Sequence, residues 1–245
     1  MKYFKFSFLI IFTFTFISCN SILLKLITSK EIKTKVFYNQ EKDKTLVIFP
    51  MLHINHPEFY ADAKVKLEKL RQQGYTVFLE GVALEDSTSF SSQQLDTVTR
   101  KMRKIVGYNL SNYKNKQNKS ISKAIRNSKY VSESRENMGI QPEDITVDIP
   151  MNELIEIYEK KYGPIKLTDC DWETDYLEKY ECETVPKIRT DDILVYTRND
   201  TIEKRVYESK LKKIALVYGE KHFNFIKGGF QQNGYKEVDT LNLFE

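Results

Sequence analysis

The sequence is short of the residues from which metal and redox sites are most often built. Three cysteines and three histidines are spread over 245 residues. They form neither a Cys-x-x-Cys pair nor a Cys/His cluster, which leaves a structural zinc site without support. An excess of one charge is also missing. Of the 38 basic residues, Lys2 and Lys5 are the only charges in the first 18 positions, so the remainder carries 36 basic against 34 acidic side chains. Such a balanced surface, with no basic arm, excludes the electrostatic footprint of a nucleic-acid-binding protein.

Long apolar runs are absent except at the start. Residues 1–18 combine Lys2 and Lys5 with an apolar and aromatic stretch and a small residue at the break, the pattern of a secretory signal. Ser18-Cys19 resembles the lipobox of bacterial lipoproteins, in which Cys19 becomes the lipidated first residue. A signal anchor is the competing reading, but the run is short against the roughly 20 apolar residues needed to span a bilayer. The expected location is the bacterial cell envelope, with the chain tethered to the membrane and facing the extracytoplasmic side. In that oxidising setting Cys170 and Cys182 are placed to pair, or to stay unpaired; their spacing permits both.

The rest of the chain reads as an α/β domain over 45–245, after a lipid-anchored N-terminus and spacer over 19–44. The expected architecture is a central mixed or mostly parallel sheet flanked by helices. Thr45 to Phe49 is a strand ended by Pro50, and Pro50 and Pro57 bracket a rigid loop. Phe59, Ala63, Val65, Leu67 and Leu70 mark an amphipathic helix closed by Gly74. Thr76 to Leu79 is the second strand. Residues of about 85–143, rich in Ser, Asn, Lys and Gln, read as a helical insertion capping the sheet. Strand character returns at Ile145 to Pro150. A helix follows over Asn152 to Tyr162, then a short strand at Ile165 to Leu167 and a helix-rich stretch from Asp191 to Leu211.

The organising stretch is Ile214 to Gly234. Ile214 to Tyr218 has the composition of a strand covered on both faces, with Gly219 where the chain turns without a Cβ penalty. His222 comes just past that strand end, the edge at which open α/β sheets bind ligands. His53 and His56 follow the first strand in the same way, and Glu80 follows the second. If these three strands are neighbours, His53, Glu80 and His222 converge. Two imidazoles and a carboxylate can hold a divalent metal with open positions for water, or act as a base and its orienting partner. Taken singly, each has a blander account. A lone histidine is more often structural, and a carboxylate after a strand more often caps a helix.

The ordered set His53, Glu80, Arg198-Asn199, Gly219-x-x-His222 and Gly234-Tyr235 resembles the TraB/GumN/TIKI family, which is distantly similar to erythromycin-esterase-like and ChaN-like proteins. Pro50 stands where that family's first motif has glycine, and Asp148 matches its Ala-Asp. The resemblance implies a metal-dependent peptidase. His53 and His222 would ligate Mn, Co or Zn, and Glu80 would serve as third ligand or as general base. Arg198 would bind a carboxylate or stabilise an oxyanion, with His56 as a supporting or alternative ligand and Glu220 as an assisting group. The expected function is therefore that of an extracytoplasmic, lipid-anchored hydrolase acting on a peptide or small molecule. Its alternatives are a metal-free hydrolase with a histidine base, and a non-catalytic lipoprotein that binds or sequesters a peptide or small ligand.

Overall fold

Apolar residues on both faces of consecutive strands build the centre of this protein, seen in a computed structural model that describes residues 28–82, 84, 89–108, 115–119, 121–126, 129–239 and 243–244. The signal, the lipobox and Cys19 lie outside the described residues. The strands are β1 (Lys35–Asn39), β2 (Lys44–Met51), β3 (Ile54–Asn55), β4 (Thr76–Leu79), β5 (Val131–Ser132), β6 (Ile145–Thr146), β7 (Lys213–Gly219) and β8 (Tyr235–Val238). Six of them form one sheet in the order β6-β4-β7-β2-β1-β8, while β3 and β5 pair separately. The ladders β6-β4, β4-β7 and β7-β2 are parallel; β2-β1 and β1-β8 are antiparallel. The fold is thus α/β with a mixed, mostly parallel sheet.

Side chains alternate across a strand, so each central strand feeds two cores. Val47, Phe49, Met51, Val77, Leu79, Ala215 and Val217 face α1 (Pro57–Gln72), meeting Phe59, Tyr60, Ala63, Leu67 and Leu70. Leu46, Ile48, Phe78, Ile214, Leu216 and Tyr218 face the other way, toward Ile202 and Val206 of one C-terminal helix and Ile226 and Phe230 of the next. Each fully buried aliphatic or aromatic side chain of this kind contributes roughly 1.5–3 kcal/mol. A third cluster sits apart from both faces. There Met102 and Ile105 of α2 (Ser92–Val106) pack on Leu154, Ile155 and Tyr158 of α4 (Met151–Tyr162), counting the one-turn helix Lys123–Arg126 as α3. The remaining helices are α5 (Asp169–Glu173), α6 (Lys187–Asp191), a π-helical turn over Asp192–Thr197, α7 (Arg198–Glu208) and α8 (Glu220–Gln232). No helix among the described residues is long and apolar enough to cross a membrane.

Several local expectations are corrected. The sheet begins ten residues before Thr45, because Lys35–Asn39 is a strand within the stretch read as spacer. Its short KVFYN pattern, buried on both sides at Val36 and Phe37, carries little periodicity. Pro50 does not end β2, which runs on to Met51. Thr45 donates to Lys212 on the β7 side, and main-chain groups alternate sides, so position 50 points to the β1 side. There β1 has already ended opposite Ile48, and proline's missing N–H costs no ladder bond. Val65 is 54% exposed rather than buried. Residues 165–167 form no strand, and Ile165 packs into the third cluster. Of Ile145 to Pro150, only Ile145–Thr146 is strand.

Of the region read as an insertion, the long helix α2 begins at a Ser91/Gln94 capping box and ends at Gly107 with φ +87°. Both signals are local, and both lie in the sequence. Cys170 and Cys182 are joined by a disulfide.

Candidate functional site

The parallel register sets the C-terminal ends of three adjacent strands level. Met51 pairs with Gly219, Leu79 pairs with Val217, and the Glu80 N–H donates to the Val217 carbonyl. The residues just past each strand therefore meet at one sheet edge. His53 and Glu80 line the same pocket of about 320 Å³, with Met51, Leu79, Val82, Met138, Ile140 and Val217 as its apolar wall and Glu133, Arg135, Arg198 and Tyr218 as polar company.

Arg198 is the hub of the buried part. The wide π-helical turn over Asp192–Thr197 immediately precedes it, the kind of helical irregularity often found at functional sites. Its Nε and Nη2 donate to the two oxygens of Asp148 at 3.0 and 2.5 Å, and Nη2 also reaches Glu80 Oε1 at 2.6 Å. Nη1 donates to the Leu194 carbonyl at 3.2 Å and faces His222 Nε2 at 3.4 Å. Every N–H of the guanidinium is engaged. Arg198 therefore acts on its own chain as a strut, rather than presenting donors to a substrate carboxylate or oxyanion. Burial by itself would lower its pKa, but the Asp148 hydrogen bonds and the charges of Glu80 and Asp148 outweigh burial and shift it upward.

Asp148, with its side chain fully buried, also accepts the N–H groups of Gly81 and Ile149. It ties the end of β4 to the start of α4 and holds Arg198. The second Glu80 oxygen accepts the N–H of Gly219 at the start of α8, where the helix dipole favours a carboxylate. Gly219 has φ −57°, so no positive φ requires glycine there. The reason is proximity: a Cβ at this position would stand 3.0 Å from Glu80 Oε2 and 3.5 Å from His222 Cδ2.

His222 is buried. Its Nδ1 lies 2.9 Å from Asn199 Oδ1, an oxygen that also accepts the Tyr218 hydroxyl at 3.0 Å. An amide oxygen only accepts, which places the imidazole proton on Nδ1 and leaves Nε2 toward Arg198. Burial pushes the His222 pKa down to about 4 against the opposing pull of Glu80, so the ring is neutral near pH 7. His53 differs. It is half exposed, and its Nδ1 lies 2.6 Å from Glu133 Oε1, a bond that raises its pKa against the smaller opposing effect of burial. The β3-β5 ladder pairs Asn55 with Val131 and Ile54 with Ser132, and the Glu133 N–H then donates to the His53 carbonyl. That ladder brings the two side chains face to face.

Of the remaining candidates, His56 precedes α1 and meets Tyr130 edge-on at 4.8 Å, away from the pocket lining. Glu220 is exposed on the first turn of α8. Glu133 and Arg135 were not legible as site residues. They follow a two-residue strand inside a polar stretch, and so short an element leaves no periodic signal.

The expected metal ligands can be tested against this geometry. Glu80 spends one oxygen on Arg198 and the other on the Gly219 N–H, while His222 Nε2 abuts the same guanidinium and lies 3.8 Å from Glu80 Oε1. A dication ligated at about 2 Å by that nitrogen would stand against a fixed positive charge. Among the described residues no group of three or more His, Cys, Asp or Glu side chains is placed to hold a metal. The set His53, Glu80 and His222 meets at one edge but does not fit a shared ion, because Arg198 already fills the cation's place. Compared with family models, curated proteins and solved structures, the chain gives no match.

Proposed function

We propose that this chain is an extracytoplasmic, membrane-tethered hydrolase of esters or amides that uses His53 as its general base. The observation that carries this reading is the 2.6 Å contact of His53 Nδ1 with Glu133 at a pocket whose walls are largely apolar. Glu133 accepts from Nδ1, which fixes the tautomer and leaves Nε2 as the lone-pair nitrogen. A carboxylate in that position also stabilises the imidazolium formed when the ring takes a proton from an attacking water. Arg135 lines the same pocket, and its only described side-chain hydrogen bond goes to the Gln141 carbonyl. Among the described residues that line the pocket, it is a cation available to a developing oxyanion. Glu80 and Arg198 line the pocket with Asp148 and His222 bonded behind them, and the Glu80 charge adds to the larger effect of Glu133 on His53 while Arg198 opposes it.

The test is turnover of a panel of chromogenic esters and peptide amides by the full chain, before and after exhaustive chelation, with His53→Ala and Glu133→Gln alongside. Activity that survives chelation, rises with pH through a midpoint above 6.5, and falls at least 100-fold in His53→Ala is the expected result. Activity that chelation abolishes and Zn, Mn or Co restores would return the site to the metallopeptidase reading. A second reading is supported by the same hub. With Arg198 and Glu80 spent on each other, the pocket is preorganised without needing a reactant, as in a protein that binds a peptide or small ligand. No turnover across the panel, together with saturable ligand binding that His53→Ala weakens, would favour it.

A further inference from the structure

The chain enters the fold at the edge that carries the pocket. The Ser29 N–H donates to Asn55 Oδ1 at 3.0 Å, two residues beyond His53, and the Ile32 N–H donates to Asp62 Oδ2 of α1 at 2.9 Å. Ile32 is buried in the core, and Lys66 donates to its carbonyl at 2.9 Å. From there the chain descends the sheet as β1, pairing Lys35 with Ile48 toward the end of β2 and Asn39 with Lys44 at its start. The turn between β1 and β2, with Gln40 and Glu41 exposed, therefore lies at the far edge.

Nine residues, 20–28, separate Ser29 from Cys19. Fully extended, such a tether spans about 35 Å, whereas a globular domain of roughly 215 residues is about 44 Å across. A chain lipidated at Cys19 cannot then lay its far edge on the bilayer, because the tether is too short to pass around the domain. Close to the pocket edge, the half-exposed rings of Tyr196 and Phe225 meet edge-on with centroids 5.6 Å apart, two residues before Arg198 and three after His222. Tyrosine is enriched at membrane–water interfaces, where its ring sits among the headgroups, and an exposed phenylalanine beside it adds apolar area.

We propose that the pocket edge faces the bilayer and that the pocket takes its substrate from it: an acyl ester of a membrane lipid, its chain along Met51, Leu79, Met138, Ile140 and Val217. These side chains are the apolar wall of the pocket, and such a wall suits a hydrocarbon chain. The substrate half of the inference rests on the hydrolase reading. In that step the oxygen of water bonds to the acyl carbon, the ester C–O bond breaks, and His53 passes the proton of the water to the departing alcohol. The orientation half rests on the tether and uses no turnover.

The experiment places the full chain in vesicles of phosphatidylcholine brominated on its acyl chains, with unbrominated vesicles as reference. Bromine quenches tryptophan only at short range. With Trp172, the single tryptophan, replaced by Phe, one variant carries Glu136→Trp on the pocket rim, where Glu136 is exposed between the lining residues Arg135 and Met138. The other carries Glu41→Trp at the far edge, separated from the rim by the length of β2, roughly 26 Å. Glu136→Trp is expected to lose emission in brominated vesicles and Glu41→Trp to keep it. Lys30→Trp, at an exposed position beside the tether, serves as a second reporter of the pocket edge if Glu136→Trp fails to fold. Equal loss at both edges, loss at the far edge alone, or loss at neither would overturn the orientation. Turnover is read separately: umbelliferyl oleate in unbrominated vesicles is expected to be cleaved about tenfold faster than the water-soluble acetate, since buried methylenes add binding energy. Faster cleavage of the acetate would overturn the lipid substrate and keep the hydrolase. Cleavage of neither would overturn both, with the orientation still decided by the quenching.

Discussion

The Glu80 carboxylate occupies the space that a side chain on Gly219 would need, with Oε2 only 3.0 Å from the point where a Cβ would stand. Because its other oxygen is held by Arg198, the carboxylate cannot yield freely. Gly219→Ala is therefore expected to destabilise the fold by about 1–3 kcal/mol through overpacking. Gly81→Ala is the control, since among the described residues a Cβ there meets the Thr146 methyl at 3.5 Å, an ordinary van der Waals contact. Urea unfolding of both variants checks the pair, and a neutral Gly219→Ala would mean that Glu80 is not held.

Removing Arg198 would leave two carboxylates facing each other, one of them fully buried. Arg198→Met should cost about 3–5 kcal/mol, the range for stranding a buried charge. Much of that should return in the double variant Arg198→Met/Asp148→Leu, which removes the stranded partner. The readout is a double-mutant cycle in urea. Simple additivity would contradict the role of Arg198 as a strut between Asp148 and Glu80.

The buried imidazole of His222 links stability to pH. Its folded pKa of about 4 lies below the ordinary 6.5, so between these values the unfolded chain binds the proton and the folded chain does not. Stability is then full above about pH 6.5 and is lost as pH falls toward 4, by an amount on the order of 3 kcal/mol. His222→Gln should flatten that part of the stability profile. An unchanged slope in this variant would place the titrating group elsewhere.

The loop from Thr168 to Cys182 rests on polar contacts more than on a core of its own. Burial opposes ionisation of Asp171, yet Lys104, Thr168 and Tyr180 together hold its pKa down to about 2. Arg100 and Arg103 meanwhile cap the loop's carbonyls. The Cys170–Cys182 disulfide closes a short loop, so Cys170→Ser/Cys182→Ser should cost about 2–3 kcal/mol by loop entropy. Thermal unfolding of the variant against the parent measures it, and a midpoint unchanged by the substitution would show that the polar contacts suffice.

Composition and periodicity alone determined the α/β class, the helices at Pro57–Gln72 and Met151–Tyr162, the helix-rich character of the stretch that holds Arg198–Glu208, and the two strands from which Glu80 and His222 emerge. Short, β-branched apolar runs bounded by turn residues fold as strands covered on both faces, and residues placed directly after them fall at the sheet edge whatever the strand order. That much of the site was legible: the placing of His53, Glu80 and His222 about one edge, with Arg198 singled out only through the family resemblance. Their chemistry was decided by tertiary structure. No local pattern says that Arg198 and Asp148, 50 residues apart, form an ion pair at the place where a metal was expected. Nor does any local signal bring Glu133 to His53, since the strand that carries it there is two residues long. Charge pairing at a sheet edge depends on which loops cross in space, and hydrophobic periodicity carries no information about that.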